Sequence, residues 1–223
     1  MTPRFAPVFL ALALVLPAQT AKEWQSTFPV DKKNLGIKGD NPYFPLTPGY
    51  KLFYRHEKNT ETITVLAETK VIDGVECRVV EDREDKSGRL FERTLDYFAI
   101  DSASNDVYYM GEDVTVFKNG KESGHEGAWL SGVKGARFGM MLPANPKVGQ
   151  RFYQEWAPGV GMDRIEVKSV GEKIVTPAGT FENAVLVEET SALEKGLKDL
   201  KWYVRGVGTV RDEEMLLVSY GTK

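Results

Sequence analysis

Short β-branched or alternating runs, separated by tight-turn dipeptides, constrain this chain more than any other feature. Thr62-Ile63-Thr64-Val65-Leu66 is rich in β-branched residues, and Val75-Glu76-Cys77-Arg78-Val79-Val80 alternates apolar with charged side chains. Between them, Asp73-Gly74 is the kind of pair that tolerates the positive φ angles of a two-residue hairpin turn. Asn119-Gly120 repeats the signal after Val114-Thr115-Val116-Phe117, and residues 101–106 form a cluster of turn formers between two further runs. The same texture continues to Tyr220, punctuated by Pro177-Ala178-Gly179 and Gly206-Val207-Gly208. The spacing predicts an all-β domain of roughly ten to twelve strands, arranged as an antiparallel β-barrel, half-barrel or sandwich. A short helix is expected only over Ser191–Leu200, where Gly196 weakens it.

The start of the chain differs. Ala6 to Leu16 is an apolar run interrupted only by Pro7, preceded by Arg4 and followed by the small residues Ala18 and Ala21. Charged start, short apolar middle and small-residue cleavage zone are the layout of a secretory signal peptide. The run falls short of the ~20 residues that span a bilayer. The expected organisation is therefore a signal peptide over 1–21, an irregular lead-in over 22–40 and a single β domain over 41–223. The expected location is exported, periplasmic or secreted, with no transmembrane segment in the mature protein.

Charge and rare residues narrow the chemistry. Lys+Arg total 29 against Asp+Glu 32, a net charge of -3. That balance argues against a nucleic-acid partner, which needs a basic face. One cysteine, Cys77, excludes an intramolecular disulfide framework, and its alternating strand marks it as a small buried hydrophobe. His125-Glu126 invites an acid/base or metal role, but the only other histidine is distant His56. No metal and no cofactor are expected. G-x-S-x-G and a Gly-rich phosphate loop are both absent. Glu112-Asp113, Glu155, Asp163 and Glu166 include enough carboxylates for a glycosidase pair, but sequence gives no separations.

The segment Ser123 to Gly149 is dense in glycine and holds Trp129, Arg137, Phe138, Met140 and Met141. Two readings stay open: a packed crossover that closes one end of the core, or a binding loop across a barrel mouth. Under the second, Gly127 to Leu142 covers the mouth. Trp129, Met140 and Met141 then supply adaptable apolar contact, and Arg137 meets an anionic head group. Aromatic residues on the strands, Tyr109 and Trp156 among them, either pack the barrel or line an apolar cavity. The candidate ligand-binding set is thus Tyr109, Trp129, Arg137, Phe138, Met140, Met141 and Trp156.

Several motifs carry a resemblance. Asn41-Pro42-Tyr43-Phe44-Pro45-Leu46-Thr47-Pro48-Gly49, the Gly74 to Val80 strand, Tyr108 to Asp113, Met141 to Gly149, Thr176 to Asn183 and Tyr203 to Val210 resemble a group of exported bacterial β-rich proteins of unknown function. The resemblance spans about residues 41–210. The P-A-G-T-F and G-V-G-x-V pieces are also similar to envelope half-barrel carriers of lipids and lipoproteins. The aromatic strands and the Gly/Met/Trp loop point to an exported, non-catalytic protein that binds an apolar or amphipathic small molecule or an envelope partner. The rivals are a carboxylate-dependent hydrolase or lyase around His125 and Glu126, and a purely structural envelope module. Oligomeric state and ligand identity do not follow from the sequence.

Overall fold

The computed structural model describes residues 23–222. The signal-peptide expectation over 1–21 lies outside those residues. The strands run in chain order as β1 (Leu35–Gly36), β2 (Tyr50–His56), β3 (Asn59–Ile72), β4 (Val75–Lys86), β5 (Arg89–Asp101), β6 (Val107–Lys118), β7 (Lys121–Gly124) and β8 (Trp129–Leu130). They continue as β9 (Arg137–Leu142), β10 (Arg151–Tyr153), β11 (Glu155–Trp156), β12 (Asp163–Thr176), β13 (Gly179–Ser191), β14 (Asp199–Val204), β15 (Gly208–Asp212) and β16 (Met215–Thr222). Thirteen of them form one path, β10-β12-β13-β14-β15-β16-β2-β3-β4-β5-β6-β9-β11, with every pairing antiparallel. The result is an all-β, nearly closed barrel.

Turn chemistry sets the meander. Asp73 and Gly74 have φ of 50° and 79°, and Asn119 and Gly120 have 53° and 75°. Both pairs thus adopt the two positive angles that match a hairpin to strand twist. Ser87-Gly88 makes the same turn with 52° and 75°.

The two edge strands of the path, β10 and β11, are separated in sequence by Gln154 alone. The chain crosses from one edge of the sheet to the other at that residue. Its backbone N–H donates to the Asp163 carbonyl at 2.8 Å. Closure demands a close approach: a Cβ on Gly139 of β9 would lie 2.3 Å from the Gln154 carbonyl oxygen. Only glycine fits there.

Two expectations change. Ser191–Leu200 is not helical: β13 runs to Ser191, β14 starts at Asp199, and Gly196 sits at φ 97° in the link between them. Ser123 to Gly149 is not a free loop, since it contains β7, β8 and β9, and β9 pairs with β6 in the barrel wall. Gly127 to Leu142 therefore ends as wall rather than as a cover across a mouth. Strand partners distant in sequence override its glycine-rich local character.

Apolar packing lies on both faces of the wall. Outside β4, β5 and β6, Val75, Cys77, Val79, Tyr97, Ala99, Tyr108 and Met110 form a buried cluster. The lead-in covers it: Phe28 and Val30 pack against the cluster, Leu35 joins it, and Phe28 meets Tyr108 edge-on at 5.7 Å. At one end of the barrel, Asn41-Pro42-Tyr43-Phe44-Pro45-Leu46 forms a plug. Asn41 is 1% exposed. Its amide donates to the carbonyls of Asn105 and Leu142, and its side-chain oxygen accepts from the Tyr43 N–H. Phe44 then packs edge-on against Phe98, with ring centroids 4.9 Å apart.

Candidate functional site: an acid-lined chamber

Above the plug, the barrel encloses a cavity of about 410 Å³. Its apolar floor is Phe44, Ile63, Val80, Phe98 and Met141. Its walls carry ten carboxyl groups: Glu61, Asp82, Glu84, Glu92, Asp96, Glu112, Glu155, Asp163, Glu189 and Asp212. Lys201 is the one basic residue in that lining. A further cavity of about 480 Å³ continues toward the hairpin rim, sharing Glu61, Asp82, Glu84, Lys201 and Asp212 and adding His56, Asn59 and Glu214.

The strand register explains why the carboxyls converge. Glu61 of β3 lies opposite Glu84 of β4, which lies opposite Glu92 of β5. Two residues deeper along the wall, Asp82 follows Glu84. Asp96 of β5 lies opposite Glu112 of β6. Like charges in directly opposed positions destabilise a sheet. The ladder thus works against folding unless protons or a cation neutralise it.

Protons are held tightly. Burial, then the neighbouring Asp96 and Glu155, push Glu112 up to about 9. Burial followed by Asp212 and Glu84 raises Glu61 to about 8. Glu155 is pushed to about 8 by burial and then by Asp163, against an opposing pull from the Trp129 indole. Asp96 rises to about 7, mainly through burial, while the hydroxyl that Tyr109 donates to it acts the other way. Asp82 is raised well above the carboxylate range by burial and by Glu61. Lys201 behaves oppositely. Burial alone would lower it, but Asp212 and Glu189 outweigh that and hold it charged, with Nζ 3.1 Å and 3.2 Å from their oxygens.

The seven residues singled out from sequence do not converge. Tyr109 and Met141 line the chamber. Trp129 is buried just behind, opposite Glu112 in the strand pairing and edge-on to Tyr109 at 5.4 Å. Phe138 and Met140 pack against the outer cluster instead. Arg137 is exposed and stacks on Trp156, with its guanidinium 4.7 Å from the ring centroid. Of the five carboxylates noted in sequence, Glu112, Glu155 and Asp163 enter the chamber. Asp113 pairs with Lys70 and Glu166 with Arg151 instead. Sequence reasoning misses the other seven acids, for which the only visible signal is the even spacing of Asp82 and Glu84 on β4 and of Glu92 and Asp96 on β5. His125 is absent from the chamber lining, and its Nδ1 lies 2.7 Å from the Val114 carbonyl. Among the described residues, no group of three or more His, Cys, Asp or Glu is disposed to hold a metal ion. Nor is any helix among them long and apolar enough to cross a membrane.

No family model matches the chain, and no curated protein matches it. Among solved structures, the crystal structure of a "putative lipoprotein" from Parabacteroides distasonis matches with a TM-score of 0.38 and 13% identity, covering 82% of this chain and 100% of that one.

Proposed function

We propose that this is an exported, non-catalytic protein of the bacterial envelope that holds an amphipathic small molecule inside its barrel. The observation that carries the reading is the chamber's division into an apolar floor, with Phe44, Phe98 and Met141, and an acid wall. Its volume falls within the usual range for small-ligand sites, roughly 300–1,000 Å³. An entirely apolar ligand would leave the acid wall without a partner, which favours an amphipathic one. A concave interior also suits a small molecule better than a flat protein surface does. Export rests on the apolar run at residues 6–16 and on the resemblance of the 41–49 motif to exported proteins.

Native mass spectrometry of protein purified from its own host tests this. The expected spectrum contains a bound small molecule carrying both apolar and polar parts, and the molecule leaves when the barrel unfolds. A ligand-free spectrum, together with no uptake of any amphiphile in titration, would leave a structural envelope module as the better account.

A further inference from the structure

We propose that the half of the chamber between Asp96 on β5, Glu112 on β6 and Glu155 on β11 is an amine subsite that takes the primary ammonium head of the ligand. This rests on the chamber being a ligand site and specifies the ligand's chemistry.

The opposite half provides the template. There the chain places its own alkylammonium, Lys201, between Glu189 and Asp212 at 3.2 Å and 3.1 Å. The half built by β5, β6 and β11 has the same surplus of carboxyls and no basic side chain in its lining. Glu155 supplies the independent sign of a missing partner. It is only 6% exposed, yet its Oε2 has no hydrogen-bond partner. The carboxyl sits directly over Gly161, where a Cβ would fall 2.5 Å from Oε1 and 2.6 Å from Oε2, so only glycine leaves room for the group in this position. The Trp129 indole N–H approaches without completing a bond and is itself unpartnered. A buried acceptor left open costs about 1–3 kcal/mol, more when charged, so its retention calls for a ligand that satisfies it.

The donor count selects the head group. A primary ammonium carries three N–H donors and no acceptor, which suits three carboxyl groups. A quaternary ammonium has no donor for Glu155. A compact metal ion needs its oxygens within about 2.0–2.6 Å, closer than the roughly 2.7–2.9 Å of ammonium hydrogen bonds, and no group of three or more ligands among the described residues is disposed to hold one. The face of Tyr109, stacked on Phe98 at 4.9 Å, adds an aromatic wall beside the cation and leads to the apolar floor. An alkylamine entering tail-first thus finds its chain on Phe98 and Met141 and its head at Glu155.

The test uses the whole mature protein and calorimetric titration with n-hexylamine, n-hexanol, hexyltrimethylammonium and calcium chloride. Hexylamine is expected to bind roughly tenfold or more tightly than hexanol and the quaternary salt, the scale of a charge-assisted hydrogen bond. Glu155→Gln should remove that preference while leaving hexanol affinity unchanged, and Glu112→Gln gives the same readout should Glu155→Gln fail to fold. Equal affinity for hexylamine and hexanol overturns the amine subsite and leaves the chamber reading standing. Stoichiometric calcium binding that displaces hexylamine overturns it in favour of a metal site. No binding of any of the four overturns the chamber reading and the subsite with it.

Discussion

Strands β4, β5 and β6 present one face to the outer cluster and the other to the chamber, and the two faces obey opposite rules. Neighbouring residues divide between them: Tyr97 and Met110 lie in the outer cluster, while Asp96 and Glu112 face inward. The outer face is covered by Phe28, Val30 and Leu35, and it behaves as the hydrophobic core of the sheet. The inner face opposes carboxyl to carboxyl and stays partly empty. Across these three strands the outer cluster, the plug and the apolar floor supply the packing, which lets the rest of the inner face carry groups that oppose folding. Such a division is typical of a binding site maintained at a cost to stability.

The sharpest way to break this comparison is to cut the outer face. Met110 is fully buried in the outer cluster. Met110→Ala should lower unfolding free energy by about 4 kcal/mol, within the range for large-to-small core changes. Denaturant titration at pH 5.5 and pH 8 should give the same loss at both, because no titrating group is involved. A loss below about 1 kcal/mol would mean that Phe28, Val30 and Leu35 of the lead-in do not cover a true core.

The next effect falls on the inner face and depends on pH. Lys201→Met removes the cation between Glu189 and Asp212. Breaking a buried ion pair costs roughly 3–5 kcal/mol when the partner is left charged. The expected loss is about 3 kcal/mol at pH 8 and clearly smaller at pH 5.5, because burial raises the Glu189 carboxyl and favours its taking up a proton there. Equal losses at both pH values would place Lys201 in the same category as Met110.

Wild-type protein should itself weaken as pH rises. Asp96, Glu61, Glu155 and Glu112 have folded values of about 7, 8, 8 and 9, all above their ordinary carboxylate values near 4. A carboxyl whose folded pKa is raised binds its proton more tightly in the folded state. Its stabilisation is complete below the unfolded value and is lost as pH climbs through the folded one. Between pH 5 and pH 9 the unfolding free energy should fall by at least about 2 kcal/mol, roughly 4 °C or more in Tm for a chain of this length. A Tm that rises over that window would contradict a proton-holding chamber.

These two faces also explain what sequence made legible. The all-β class and the turns at Asp73-Gly74 and Asn119-Gly120 were readable because turn chemistry is local. Period-2 alternation separates two faces of β4 and β5, but it does not say which one is enclosed. By pattern alone, polar positions such as Asp82 and Glu84 are indistinguishable from solvent-facing ones. The chamber also escaped because a net charge of -3 averages its ten carboxyls against basic residues elsewhere. Glu112, Glu155 and Asp163 drew notice singly. Their meeting depends on the barrel closing at Gln154, which involves strands far apart in the chain. Trp129 and Met140 attracted attention through size and flexibility, which are equally the attributes of packing.

The smallest effect is the most discriminating. Glu112 is half-buried opposite Asp96, with a folded pKa of about 9. Gln is its neutral isostere, so Glu112→Gln retains the shape while removing ionisation. At pH 3.5, below the ordinary value of 4.5, the wild-type side chain is largely protonated in both folded and unfolded chains, and the substitution should change stability little. As pH rises, the unfolded wild type gains by ionising while the folded one resists, and the variant escapes that loss. The gain should therefore grow from about pH 4.5 and level off above pH 9, reaching at least about 1 kcal/mol, the value of one pKa unit. Chemical denaturation of both proteins across this range measures it. A variant that is more stable at alkaline pH yet has lost its preference for hexylamine separates binding from folding at one residue. A variant destabilised at every pH would mean that the Glu112 carboxyl is a structural hydrogen-bonding group, so the inner face would then resemble the outer one.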